Sequence, residues 1–333
     1  MKKNLTKFIS LIMLIAIVST TACDNTEFRK QIGEFQTAMS ESQIAIQTYY
    51  VEINQFERDI VSLRRELDPT LPLGVKFGLE KPADGRVAQI DENSLYVNAP
   101  FSPESIQARL DALKLISLYG KRLAELAGTD SPTVFETNVD ALGTNIVNLD
   151  KTFQKLANSG TDKSALAFVG PISKLVGMVG RLFLERKRDK ELIAAIREAT
   201  PQITDITSKL KTDFDEVFNA TRTTGLIDSL SAMTLFYEKN KATMKREERK
   251  KVLAEINGII RIYELFVSAN PSDIVQSMED ANQALLAYAN SGRKDGDFIQ
   301  VVAHIGEFRD NARQIVEAIQ EIREIRRSLR DAN

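Results

Sequence analysis

Apolar residues recur at alternating four- and three-residue steps from Phe28 through Ile32, Phe35 and Met39. After Ser42 the rhythm resumes at Ile46, Tyr49, Ile53, Phe56, Ile60, Leu63 and Leu67. A 3.5-residue repeat sustained this long predicts one helix packed in coiled-coil fashion, ~60 Å long at ~1.5 Å of rise per residue. The rhythm returns in Phe135, Val139, Leu142, Ile146, Leu149, Phe153 and Leu156, and again in Ile274, Met278, Ala281, Leu285 and Tyr288. A last run carries it through Val301, Ile305, Phe308, Ala312, Ile315, Ile319 and Ile322. Ser102-Pro103, Ser131-Pro132, Thr200-Pro201 and Asn270-Pro271 each pair a capping oxygen with a proline that needs no amide partner, which predicts four helix starts. Gly128, Gly160, Gly225 and Gly292 are the expected stops. Leu156-Ala-Asn-Ser-Gly160 and Tyr288-Ala-Asn-Ser-Gly292 read as two similar helix endings. The expected fold is all-α, an elongated bundle of long heptad-patterned helices.

One stretch departs from this, between residues 69 and 101. Leu73, Val75, Phe77 and Leu79 alternate with Gly74, Lys76, Gly78 and Glu80, a period of two that predicts a strand. Arg86–Ile90 and Leu95–Val97 are two further short strand candidates, so a small β-element is expected at the far end of the first helix. Leu73, Val75, Phe77, Leu79 and Tyr96 form either a partner-binding surface or a cap on the bundle core.

Composition leaves room for long helices: glycine and proline number 16 and 9, and tryptophan is absent. The sole histidine, His304, stands beside seam residue Ile305 and reads as surface or boundary structure. With one histidine and one cysteine, a Ser-His-Asp or Cys-His arrangement would have to use the His304 ring, and a His- or Cys-based zinc site is excluded, so no enzyme, metal or cofactor is expected. Gly160-Thr-Asp-Lys163-Ser164 lacks the glycine spacing of a phosphate loop and reads as a helix–helix connection. Asp295-Gly296-Asp297 lacks further calcium ligands, and Asp297 is expected to cap the final helix. Ala165–Leu184 is the most apolar stretch after the N-terminal run, but Lys174, Arg181 and Pro171 argue for a buried central helix over a bilayer span. Gly170, Gly177 and Gly180 would let a neighbouring helix come close there. Between Lys239 and Lys251 seven basic residues face only Glu247 and Glu248. The seam lapses there, so Lys245, Arg246, Arg249, Lys250 and Lys251 read as a solvated face or as a contact for an anionic surface.

The N-terminus carries its own pattern. Lys2, Lys3 and Lys7 precede Phe8–Val18, an apolar run interrupted only by Ser10, and Thr20, Thr21 and Ala22 lead into Cys23. The run is short for a membrane span and fits a secretory signal. It resembles a bacterial lipoprotein signal, whose lipobox ends in the cysteine that receives diacylglycerol, with Thr20 standing where that family prefers Leu. The resemblance implies a signal peptide over residues 1–22, lipidation of Cys23, and a helical-bundle domain over 23–333. It also implies a sorting role for Asp24, which favours the inner membrane and a periplasm-facing bundle. Cys23 is the only cysteine, so no internal disulfide can form. Removing the signal takes three of the 44 basic residues and none of the 46 acidic ones, leaving a net charge of −5. That balance gives no general attraction for nucleic acid.

The expected function is a membrane-anchored envelope lipoprotein serving as a helical protein–protein interaction or scaffold module. Its partners would be membrane lipid through acylated Cys23 and either another envelope protein or a second copy of itself. The alternative is a membrane-perturbing protein, since a long first helix with a β-tongue and an internal apolar segment resembles the α-helical pore-forming toxins in outline.

Overall fold

The computed structural model describes residues 2–67, 73–77, 95–99, 102–128, 148–159, 162–184, 189–220, 226–291 and 294–331. Helix α1 spans Lys2–Leu67 without a break. Every seam residue from Phe28 to Phe56 is buried, and Leu63 and Leu67 pack at the edge of the core. Ser42, the polar interruption, is buried as well, and its hydroxyl donates to the Met39 carbonyl at 2.9 Å. A satisfied hydroxyl costs little there, so the seam continues through it.

Strands β1 (Leu73–Phe77) and β2 (Leu95–Ala99) follow, then α2 (Pro103–Ala127) and α3 (Leu149–Asn158). A short 3₁₀ turn (Lys163–Ala165) leads into α4 (Leu166–Leu184) and α5 (Asp189–Ala220). The chain continues as α6 (Ile227–Asn240), α7 (Arg246–Ser268), α8 (Pro271–Asn290) and α9 (Asp295–Asp331).

Helices α1, α2, α5, α8 and α9 close a ring, each packing on the next and α9 returning to α1. Cross-helix bonds give their directions. Arg309 reaches Glu34 and Arg326 reaches Glu52 and Asp59, so α9 runs parallel to α1. Ser40 meets Ser117, and the Gly120 backbone lies against Met39, so α2 runs antiparallel to α1. Lys211 bonds Gln276 while Asn282 bonds Thr200, so α5 and α8 are antiparallel. Helices α3 and α4 buttress the α2–α5 side, and α6 and α7 pack on α1 and α9. Tyr49 stands edge-on to both Phe214 and Phe266, which ties α1 to α5 and α7.

Among the described residues, the capping chemistry works at Ser102, Asn270 and Gly128. Ser102 accepts from the Ser105 amide and Asn270 from the Ser272 amide. Gly128 ends α2 at φ +77, a left-handed conformation that glycine adopts without a Cβ penalty. The Ala-Asn-Ser endings do behave alike: Ser159 donates to the Leu156 carbonyl and Ser291 to that of Tyr288. Thr200-Pro201, however, lies inside α5 and starts nothing. The Thr200 hydroxyl turns back to the Ile196 carbonyl, and buried Ile196, Ala199, Ile203 and Ile206 run straight past the proline. Packing of that seam outweighs the amide that Pro201 lacks. Ser131-Pro132, the seam from Phe135 to Ile146, and Gly160, Gly225 and Gly292 lie outside the described residues.

Helix α4 also departs from expectation, since it sits at the periphery. Phe168, Ile172, Leu175, Met178 and Val179 face the core, whereas Leu166, Gly170, Lys174 and Gly177 are exposed. A Cβ added at Gly170 or Gly177 would meet nothing within 4 Å, so no helix uses the approach those glycines offer. Among the described residues no helix is long and apolar enough to cross a membrane. At the start of α9, Asp297 lies in the first turn rather than at the cap, because the helix begins at Asp295. Both carboxylates there suit the positive end of the helix dipole.

Candidate functional site

The most concentrated polar chemistry among the described residues is inside the bundle. Arg109 of α2 has no exposed side-chain surface. Its Nε donates to Asp213 of α5 at 2.7 Å and its Nη1 to Asp162 at 2.6 Å, while Nη2 reaches the Ser164 hydroxyl at 2.7 Å. Nη1 also bonds Ser105, whose hydroxyl donates to Asp162. The guanidinium lies 5.6 Å from the centre of the Phe168 ring, which stacks on Phe153. Asp162 caps the 3₁₀ turn by accepting from the Ser164 and Ala165 amides.

Burial raises the Asp213 carboxyl above the usual aspartate range, and the adjoining guanidinium only partly counters it. Burial also pulls Asp162 upward, but there Arg109 and the bonds from Ser105 and Ser164 win and hold it low. Since the guanidinium is sealed from solvent and saturated with acceptors, this cluster locks α2, α5 and the α3–α4 connection together. It does not present a reacting group to a substrate.

The cluster was missed in the sequence, although a signal was there. Arg109 occupies a seam position of α2, in step with Ala112, Ile116, Tyr119 and Leu123, and Asp213 continues the α5 seam after Leu210. Opposite charges at seam positions on two helices point to a buried pair.

A second tie joins the chain's two long helices. Glu52, buried on α1, accepts from Arg323 at 2.6 Å and from Arg326 at 2.7 Å, and Arg326 also holds Asp59.

The residues singled out from sequence fall at the two ends of the bundle. Cys23 and Asp24 lie on α1, on the N-terminal side of its buried seam. The β-element has two strands among the described residues, and they pair in parallel, with Leu73 opposite Leu95, Val75 opposite Val97 and Phe77 opposite Ala99. A parallel pair needs a long connection between its strands, and residues 78–94, with Leu79 and Arg86–Ile90 among them, lie outside the described residues. The register sets Tyr96 opposite Gly74, so by the strand's two-residue period it lies on the other face from Leu73, Val75 and Phe77. β2 runs beside α1.

The basic segment spans the end of α6, the turn that follows it and the first turns of α7. Lys245, Arg246, Lys250 and Lys251 are exposed, as the lapse of the seam predicts. Arg249 is half-buried because its Nη1 closes the turn on the Met244 carbonyl at 2.7 Å. The turn lacks glycine and proline, and α7 starts where the Lys245 amide donates to Glu248 at 2.8 Å. A shallow apolar groove runs along α6, lined by Ile227, Leu230 and Leu235 with Ser231, Thr234 and Glu238. His304 is half-buried, with Nδ1 3.7 Å from Glu307. Among the described residues no cluster of three or more His, Cys, Asp or Glu could hold a metal.

Helix α7 runs antiparallel to α9, with Arg261 on Glu321 and Gly258 against Leu329. From Gly258 back to Lys245 it therefore rises ~20 Å past that contact, beyond the end of α9. Cys23 lies ~44 Å below Glu52 on α1, so the basic turn and Cys23 stand on the order of 70 Å apart along the bundle axis. Comparison with protein-family models, with curated proteins and with solved structures returns no match to this chain.

Proposed function

We propose that the chain is a bacterial envelope lipoprotein, cut before Cys23 and acylated there, whose bundle serves as a protein–protein interaction or scaffold module. The observation that carries this reading is the continuity of α1. The helix that bears Cys23 is the one whose seam from Phe28 to Phe56 is sandwiched between α2 and α9. An acyl group at Cys23 would thus be coupled to the rigid core with no linker between them. The β-pair and the basic turn would stand at the opposite end. Diacylglycerol plus an amide-linked chain exceeds the two-anchor requirement for stable attachment. Asp24 supports retention at the inner membrane, with the bundle facing the periplasm.

The membrane-perturbing alternative would draw on α4, but that helix already commits Phe168, Ile172, Leu175, Met178 and Val179 to the core. Crosslinking in intact cells, comparing wild type with Cys23→Ala, tests the reading. Discrete crosslinked envelope proteins from the membrane fraction, lost with Cys23→Ala, support it. Leakage of liposomes caused by the protein, without any crosslinked partner, favours the alternative.

A further inference from the structure

Helix α7 carries two apolar stripes, and the fold uses only one. Ile259, Ile262 and Phe266 are buried, whereas Leu253, Ile260 and Val267, one heptad apart, are 42%, 38% and 39% exposed. These three share a helix face, and the same face continues toward the turn through Arg246 and Arg249, with Lys250 at its edge. Lys245, Arg246 and Lys251 form no ion pair among the described residues, and Lys250 has only an exposed contact with Glu247 at 3.3 Å. A row of aliphatic side chains collinear with a basic cluster is the pattern of a helix lying in a bilayer interface. Its cations meet lipid phosphates and its aliphatic groups enter the headgroup boundary. The row lies along the long axis of the bundle, because α7 is antiparallel to α9.

We propose that the outer face of α7 is a docking surface for an anionic phospholipid bilayer. Resting on the Cys23 anchor proposed above, it lays the bundle along the membrane by attaching its second end. The occupant is argued from charge complementarity. The segment from Lys239 to Lys251 carries seven basic residues and two acidic ones in a domain whose balance is otherwise acidic. A polybasic surface gains ~1 kcal/mol per charge near anionic lipid.

The test reconstitutes the full lipoprotein in vesicles of phosphatidylcholine alone or mixed with phosphatidylglycerol. Because Cys23 is the only native cysteine and would be acylated, Asn257→Cys on the outer face of α7 provides a single thiol for a fluorophore. Ser173→Cys on α4, across the ring, provides the control. Headgroup-resident quencher should quench position 257 strongly in phosphatidylglycerol vesicles and weakly in neutral ones, and should spare position 173 in both. High salt should relieve it, since the screening length falls from ~10 Å at 0.1 M to ~3 Å at 1 M. Combined reversal of the exposed Lys245, Arg246, Lys250 and Lys251 to Glu should cut the lipid-dependent signal more than ~10-fold while leaving circular dichroism unchanged. Equal quenching at both positions, equal quenching in neutral vesicles, or indifference to charge reversal overturns the proposal. So does protection of position 257 in cells, by an acidic protein, without any protection in vesicles. Co-flotation with neutral vesicles reads the Cys23 anchor by itself, so a failed anchor and a failed α7 surface give different results.

Discussion

The Nε of Arg109 donates to Asp213 at 2.7 Å across the α2–α5 contact, with side-chain exposures of 0% and 5%. This pair, completed by Asp162, commits three charges to the interior of the bundle. Removing a buried charge's partner costs far more than exchanging a whole network for apolar groups, because the group left behind keeps its desolvation penalty.

Arg109→Ala should therefore destabilise the fold by about 3–5 kcal/mol, since it strands Asp162 and Asp213 inside the core. Arg109→Leu combined with Asp162→Asn and Asp213→Asn should recover most of that loss. Equilibrium urea unfolding followed by circular dichroism measures both. A single variant as stable as wild type would mean that Arg109 does not hold α2 to α5.

The two aspartates have opposite signs in acid. Asp162 is held low, so its stabilisation is present above the ordinary aspartate value of ~3.9 and is lost as pH falls through its lower folded value. Asp213 is held high, so the fold binds its proton more tightly than the unfolded chain does. Protonation of Asp213 adds stability as pH falls through its raised value toward ~3.9. Asp213→Asn lacks that contribution. Between about pH 7 and about pH 4 its urea midpoint should fall relative to wild type. Parallel midpoints across that range would remove Asp213 from the titration.

Glu52 is 4% exposed and accepts from both Arg323 and Arg326, so it ties the final helix to the first. Glu52→Ala should cost about 2–4 kcal/mol, because Arg326 is itself nearly buried and keeps only Asp59. Hydrogen exchange should rise first in the last turns of α9, around Arg323 and Arg326. Uniform change along the chain would show that the tie is not local.

The fold was legible where one property dominated. Heptad spacing exposed α1, α8 and α9 because burial of a helical stripe leaves that trace whatever the neighbours are. Ser102, Asn270 and Gly128 were legible because capping chemistry is local. Thr200-Pro201 misled for the converse reason: a local signal lost to the seam from Ile196 to Ile206, which only the tertiary contacts reveal. The peripheral place of α4 was hidden because an apolar stretch says how much can be buried, not on how many sides. Arg109 escaped notice because its partners lie 53 and 104 residues away in sequence. The β-element's existence was readable from its period, but its parallel register was not, since alternation carries no direction.

The central claim is that α1 delivers a lipid anchor to one end of this bundle. Intact-mass analysis of the protein purified from the membrane fraction tests it most directly. The account predicts a chain beginning at Cys23, heavier than its sequence by a diacylglycerol and an amide-linked acyl group. A chain that retains the first 22 residues, or one recovered soluble with an unmodified Cys23 thiol, would contradict it.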